Sequence, residues 1–118
     1  MIETKLFLPA DAAILTGDRE CGDKADHNLT AGPSYTIVEG KKVLACGGIR
    51  IYGIGEAWFL CSQEAKTKNL MPVMRIIKAK LDEMQREEKL FRLYAENAVS
   101  DNFLTHLGFE KNNNIFVR

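Results

Sequence analysis

The sequence predicts an α+β (mixed α/β) fold in which helices pack on a central, mostly antiparallel, twisted sheet. Two observations carry this prediction. Strand-like segments with tight turns lead up to Cys61, and the hydrophobic period then changes from about two residues to about 3.6. After the long helix, two further strand segments flank a short C-terminal helix, and this order of segments is typical of an α+β protein.

The overall composition narrows the class of protein. A chain of 118 residues can form one domain with a real core, so we expect a single domain over residues 1–118. The sequence patterns that predict strands and helices are weakest over residues 1–33 and clear over residues 34–118. The sequence has 16 Lys and Arg residues and 16 Asp and Glu residues, so its formal net charge is zero. A zero net charge does not favour a nucleic acid or an anionic membrane as partner.

The three cysteines have no CxxC spacing, and the two histidines lie far apart, so we predict no metal site. Reduced thiols in an intracellular protein are the expected state of such cysteines. No apolar run approaches the ~18 residues of a membrane span, and the first residues do not resemble a signal peptide. We therefore expect a cytoplasmic protein.

The first segments alternate in hydrophobicity and then lose their pattern. A strand is predicted over Ile2–Leu8, and Pro9 stops it. A brief helical turn is expected over Asp11–Leu15. Residues 16–34 carry three glycines, a proline and many charges, which predicts a loop with some helix in it.

From residue 35 onward, three strands follow one another. Tyr35 begins a hairpin with Gly40 at the centre of its turn. Gly47 and Gly48 in the second strand indicate either a bulge or a close approach of another backbone. The third strand is EAWFLCS, which starts at Glu56.

A long amphipathic helix comes next. Asn69 is its predicted N-cap, and Pro72 is tolerated only in a first turn, so both indicate the same start. The charged run QREEK closes the helix. FRLYAE is the next predicted strand, and a short helix then ends at Gly108 before a turn leads into the last strand, IFVR.

Over Tyr35–Arg118 the chain resembles the GCN5-related N-acetyltransferase superfamily. The resemblance rests on a hairpin followed by a strand that feeds a long helix, on the phrase NAVSDNFLTHLGFEK, and on the position of CSQEAKTKNLM. In that family the last segment is the acyl-CoA pyrophosphate loop, Arg/Gln-x-x-Gly-x-Gly/Ala. Within the superfamily, AWFLCS and the glycine-poor linker are similar to acetyltransferase-like proteins of bacteriophages, some of them associated with virions.

The resemblance implies an acetyl-CoA site at this strand-to-helix junction. Lys66 stands at the Arg/Gln position, whereas Asn69 and Met71 replace the glycine and Gly/Ala positions. A helix N-terminus binds anions without glycine, but glycine permits close approach, so we expect weak binding of acetyl-CoA. A lysine-flanked helix cap with no ligand is the alternative. The residues implied as cofactor-binding are Cys61, Ser62, Lys66, Thr67, Lys68, Asn69, Leu70, Met71 and Asn97.

Some of these residues have a second interpretation. Asn97 matches the asparagine that contacts pantetheine in the family, and a helix N-cap explains it equally well. For a catalytic base, Glu56 is the first candidate and Glu96 the second. The family's tyrosine acid has no counterpart, because its position reads Leu104. His106 is interpreted as a cation at a helix C-terminus rather than as a catalytic group.

Two functions remain open at this point. The first is transfer of an acetyl group from acetyl-CoA to an unknown amine acceptor. The alternative is a non-catalytic acetyltransferase-like module that binds a protein partner, associated with a virion if a phage encodes it. The missing glycines favour the second function, whereas Lys66 and the helix that ends in Leu-Gly-Phe favour the first.

Overall fold

The computed structural model describes residues 1–17, 28–52, 54–95, 101–112 and 115–118. Within these residues the strands are β1 (Ile2–Lys5), β2 (Ser34–Glu39), β3 (Lys42–Ile51), β4 (Gly55–Cys61), β5 (Leu93–Ala95), β6 (Glu110–Asn112) and β7 (Ile115–Val117). The helices are α1 (Pro9–Thr16), α2 (Gln63–Thr67), α3 (Leu70–Glu87) and α4 (Asp101–His106). Residues 28–31 form a further helical turn.

The described strands form one sheet in the order β1-β2-β3-β4-β5-β7-β6. Every neighbouring pair is antiparallel except β4 and β5, which are parallel. A parallel neighbour needs a crossover connection, and α3 lies in that connection. The mostly antiparallel sheet with packed helices confirms the predicted fold class.

The β2–β3 hairpin forms as predicted. Gly40 has a φ of 63°, a left-handed conformation that glycine adopts at little cost. Gly48 is a site of close approach, because a Cβ there would lie 2.4 Å from the carbonyl oxygen of Pro33. The bulge lies elsewhere, since the β2–β3 register shifts between Ile37 and Val38 and is regular at the glycines. Of the two interpretations of this glycine pair, close approach is therefore confirmed.

Helix α3 buries one face against the sheet. Its buried residues, Val73, Met74, Ile77, Leu81 and Met84, recur at helical spacing and join the main core. The helix begins at Leu70, as predicted. However, the Asn69 side chain makes no capping hydrogen bond, and only its backbone carbonyl accepts one, from the Val73 N–H at 3.1 Å.

Helix α1 covers the opposite face of the sheet. It is longer than the helical turn predicted there, and β1 is shorter than the predicted strand. A second apolar cluster of Phe7, Ala12, Cys46 and Trp58 forms on this face. The buried Asp11 accepts hydrogen bonds from the Thr36 hydroxyl and from the N–H group of Leu8, so its carboxylate is satisfied.

Helix α4 ends at Gly108, as predicted. Gly108 has a φ of 96°, and its N–H donates to the carbonyl of Thr105. The Phe109 N–H reaches back to the carbonyl of Leu104 at 3.0 Å, which completes a Schellman motif. Strand β6 follows directly and was not predicted, because its three residues are all exposed and polar and show no apolar alternation.

Candidate functional site

A cavity of about 680 Å³ opens between the end of β4 and the helices α2, α3 and α4. Small-molecule sites commonly occupy about 300 to 1,000 Å³. Charged or polar heads come from Lys66 on α2 and from Asn102 and His106 on α4. The other lining residues are Phe59, Leu60, Cys61, Ala65, Leu70, Met71, Val73, Met74 and Phe103. The cavity is thus an apolar slot with a few polar groups, which suits an elongated organic ligand.

The slot exists because β4 and β5 pair only at their starts. Their parallel register runs from Gly55↔Leu93 to Glu56↔Tyr94, whereas β4 continues to Cys61. Beyond Glu56, this edge of β4 pairs with no strand in the described part of the chain. The other edge is paired with β3 along the whole length of β4. In the described part of the chain, backbone N–H and C=O groups that pair with no strand therefore run beside the cavity.

The segment expected to form a phosphate-binding loop is instead a short helix, α2. Ser62 caps it, since its hydroxyl oxygen accepts a hydrogen bond from the Ala65 N–H at 3.1 Å. A salt bridge of 2.9 Å between Lys42 and Glu64 joins α2 to β3. The predicted loop is wrong as local structure, because a serine cap precedes good helix formers and no glycine interrupts them.

Most of the backbone N–H groups that a loop would offer to a ligand are hydrogen-bonded within helix α2. The N–H groups of Lys66, Lys68 and Asn69 donate to carbonyls of α2 and its cap at 2.9 to 3.2 Å. Leu70 and Met71 occupy the first positions of α3, so their N–H groups have no acceptor inside that helix. The junction therefore keeps the start of α3 as a donor site and loses the amides before it.

The structure separates the predicted cofactor-binding residues into two groups. Those that line the cavity are Cys61, Lys66, Leu70 and Met71. Those that do not are Ser62, Thr67, Lys68 and Asn69. Asn97 lies outside the described residues. The Thr67 hydroxyl, for example, donates to the Gln63 carbonyl at 3.0 Å and so belongs to α2.

The inner wall of the cavity is electrically neutral. Burial raises the pKa of the Cys61 thiol to about 11, and the positive charge of Lys66 lowers that pKa only in part. Burial also raises the pKa of Tyr35, which lies in the core close enough to interact with Cys61. Both groups therefore keep their protons at neutral pH, and a thiolate nucleophile at Cys61 is disfavoured.

Two residues of the polar wall were not predicted to bind a ligand: Asn102 was not considered, and His106 was interpreted as a helix-end cation. They lie one helical turn apart on α4, and Leu104, between them in sequence, is fully buried on another face. The His106 Nδ1 atom lies 2.7 Å from the Asn102 carbonyl oxygen. A carbonyl only accepts, so Nδ1 donates. The four-residue spacing of Asn102 and His106 could have indicated that they share one face of α4. Only the fold shows that this face lines the cavity.

Glu56 lies on the other face of the sheet. It alternates with Ala57 along β4 and shares its face with Trp58, which packs in the cluster under α1. Its carboxylate accepts a hydrogen bond from Arg50, whose Nε atom donates to the Asn28 side chain at 2.6 Å. The structure thus does not bring Glu56 into the cavity but sets it where β4 and β5 separate. Glu96 lies outside the described residues.

Among the described residues, no group of three or more His, Cys, Asp or Glu side chains could hold a metal ion. No helix in the described ranges is long and apolar enough to cross a membrane.

Three solved structures show what the fold is similar to. A putative acetyltransferase of the GNAT family from Desulfovibrio desulfuricans has a TM-score of 0.76 at 10% identity, over 100% of this chain and 98% of that one. The ribosomal-protein-S5-alanine acetyltransferase from Vibrio fischeri has a TM-score of 0.71 at 15% identity, over 99% and 92%. Aminoglycoside acetyltransferase AAC(6')-Ib, in complex with coenzyme A and kanamycin, has a TM-score of 0.72 at 8% identity, over 100% and 94%.

No protein-family model matches the sequence, and no curated protein matches it. The structural likeness at these identities establishes the fold. The chain therefore has the fold of the GCN5-related N-acetyltransferases, as its sequence predicted.

Proposed function

We propose that this protein is an acyl-CoA-dependent N-acyltransferase that moves an acetyl group from acetyl-CoA to an amine. The observation that carries the proposal is the slot beside the unpaired edge of β4, in a chain with an acetyltransferase fold. A solved neighbour of that fold holds coenzyme A and the amine kanamycin. The acceptor of this chain remains an amine of unknown identity.

The slot suits a carrier with a long polar arm and a charged end. Amide groups of a pantetheine arm would pair with the free backbone groups of β4 beyond Glu56. The phosphate end would lie at the start of α3, near the N–H groups of Leu70 and Met71 and the Lys66 side chain. Asn97 keeps the role that the family resemblance implies, as a contact of the arm.

The transfer step needs no covalent enzyme intermediate. The amine nitrogen attacks the thioester carbonyl carbon, the new C–N bond forms, and the C–S bond breaks. CoA departs as a thiolate that keeps the electron pair of the C–S bond and takes a proton from solvent. The amine gives up one proton, and Glu56 is the proposed base because it lies where β4 and β5 separate. An amine that reaches this carboxylate has to share it with Arg50. Glu96 is the second candidate for the same role.

A non-catalytic module that binds a protein partner is the second candidate function. It is favoured by the internal hydrogen bonds of α2, which occupy amides that a phosphate would need. The fully buried Leu104 also offers no hydroxyl to protonate a departing thiolate. A more specific version of this hypothesis is that the protein partner belongs to a phage virion.

Calorimetric titration with acetyl-CoA tests the proposal. We expect saturable binding weaker than micromolar, because the donor set at the start of α3 is reduced. Lys66→Glu should abolish it, whereas Lys68→Glu, in the same segment but away from the cavity, should leave most of it. Release of free CoA thiol in the presence of a panel of primary amines then separates the two functions. No binding and no thiol release would leave the non-catalytic module.

A further inference from the structure

The phosphate end of the proposed slot has few backbone donors but two basic side chains. In the described part of the chain, Lys66 forms no ion pair, and it lines the cavity from α2. His106 lines the same cavity from α4. A cavity with basic groups on two of its walls suits an anionic ligand group.

We propose that Lys66 and His106 form a side-chain clamp that holds the phosphate groups of the acyl carrier, in place of the backbone amides that helix α2 consumes. This inference rests on the proposed function and adds to it the residues and the chemistry of the phosphate end. The clamp would bind phosphate-bearing carriers and discriminate against carriers without phosphate.

The hydrogen bond within α4 determines what His106 can do. Its Nδ1–H is committed to the Asn102 carbonyl at 2.7 Å. In the neutral ring Nε2 then carries a lone pair and can only accept, and phosphate oxygens also accept. Nε2 can donate to a phosphate only when the ring is doubly protonated. A phosphate at Nε2 therefore requires the doubly protonated form of the His106 ring.

The groups that line the cavity together with His106 favour an anion there. Helix α2 contributes Lys66, and β4 contributes the Cys61 thiol, which burial keeps protonated. The lining residues of α3 are all apolar, and no acidic side chain lines the cavity in the described ranges. An anion in the slot thus meets attraction from Lys66 and His106 and no repulsion from a carboxylate there.

The test uses three ligands that differ in phosphate content: coenzyme A, adenosine 3′,5′-bisphosphate and pantetheine. We expect His106→Gln and Lys66→Met each to weaken binding of the first two by about tenfold, the scale of a charge-assisted hydrogen bond. Pantetheine binding should change by less than about twofold, since the clamp does not touch a ligand without phosphate. Lys68→Met is the matched control and should bind all three ligands like the wild type.

The pH dependence supplies a readout that mere loss of packing would not move. The ratio of wild-type to His106→Gln affinity for the bisphosphate should fall toward one at a pH high enough that an imidazole ring carries a single proton. Titration of the ligand cancels in this ratio. A ratio that stays constant with pH, or an equal loss of pantetheine affinity, would overturn the clamp.

The outcomes also separate this inference from the proposed function. Acetyl transfer with an unchanged KM for acetyl-CoA in His106→Gln would refute the clamp and leave the acyltransferase standing. Binding of the bisphosphate that depends on His106, without any acetyl transfer, would support the clamp and refute the acyltransferase. No binding of the bisphosphate to the wild type would refute the clamp by itself.

Discussion

The ring of Phe59 on β4 meets the ring of Phe103 on α4 edge to face, with centroids 5.5 Å apart and planes inclined by 78°. This contact holds α4 beside the strand edge that β5 leaves unpaired. Phe109 adds a second edge contact to Phe59 at 6.4 Å. Because both Phe59 and Phe103 line the cavity, the same pair that fixes α4 also determines the width of the slot.

Truncation of this pair should destabilise the protein and widen the slot. We expect Phe103→Ala to lower the free energy of unfolding by about 2 kcal/mol, less than for a fully buried phenylalanine because the ring is half-buried. Phe103→Leu, which keeps apolar volume, should cost about half as much. Urea denaturation measures both. In a double-mutant cycle with Phe59→Leu, a coupling near zero rather than about 0.5 to 1.5 kcal/mol would contradict the contact.

Arg118 joins three elements through one guanidinium group. Its Nε atom donates to the Leu107 carbonyl at 2.7 Å, and its terminal nitrogens contact Gln85 at 2.9 Å and Asp82. Arg118→Met should lower the free energy of unfolding by about 1 to 2 kcal/mol, since the Leu107 carbonyl loses its partner. Arg92→Met is the control, because Arg92 is exposed and its guanidinium stacks on the exposed Phe91 ring. Equal midpoints of thermal unfolding for the two variants would argue against this link.

Substitution of glycine at the α2–α3 junction should strengthen binding of acetyl-CoA. The double substitution Thr67→Gly and Asn69→Gly lowers the helix propensity of α2 and permits left-handed backbone. The N–H groups of Lys66 and Lys68, now bonded within α2, would become available to phosphate. We expect acetyl-CoA affinity to rise by about tenfold, the scale of one or two added charge-assisted hydrogen bonds. Calorimetry measures the affinity.

The control for that experiment is Thr67→Ala with Asn69→Ala, which keeps α2 helical. Its affinity should match the wild type. If the alanine and glycine variants bind equally well, the occupied amides are not what limits the affinity.

The Cys61 thiol should resist alkylation at neutral pH. Because burial raises its pKa to about 11, its rate of reaction with iodoacetamide should stay low up to pH 9 and rise as pH approaches 11. Lys66→Met removes a positive charge that favours the thiolate, so it should move the rise to still higher pH. Mass spectrometry of the labelled peptides assigns the rate to this cysteine. Rapid labelling at pH 7 would contradict the raised pKa of this half-buried thiol.

The elements that the sequence predicted correctly are those whose causes are local. The Gly40 turn needs a left-handed residue, and the helix that ends at Gly108 needs another, and in both places glycine itself is the signal. The long helix shows its buried face as a repeated spacing of apolar residues, and Pro72 restricts its start to the first turn. Fold class followed from the order of such elements.

The candidate site was predicted less well. The family resemblance predicted a phosphate-binding loop before Leu70, whereas the residues of that segment prefer a helix. The residues before Leu70 stand where a phosphate loop is expected, yet Ser62 and the helix formers after it build α2. Lys66 and Met71 line the cavity, while Lys68 and Thr67 do not. Binding by any of these residues stays a prediction.

The sequence by itself determined the described strands other than β6, the long helix and its first turn, and the two glycine-dependent turns, since hydrophobic period and backbone freedom are properties of neighbouring residues. Only the tertiary structure decided that β5 leaves the edge of β4 unpaired beyond Glu56, that Arg50 holds Glu56 on the far face, and that His106 and Lys66 line one cavity. These relations join residues far apart in the chain. They depend on strand register and helix docking, which no local pattern records.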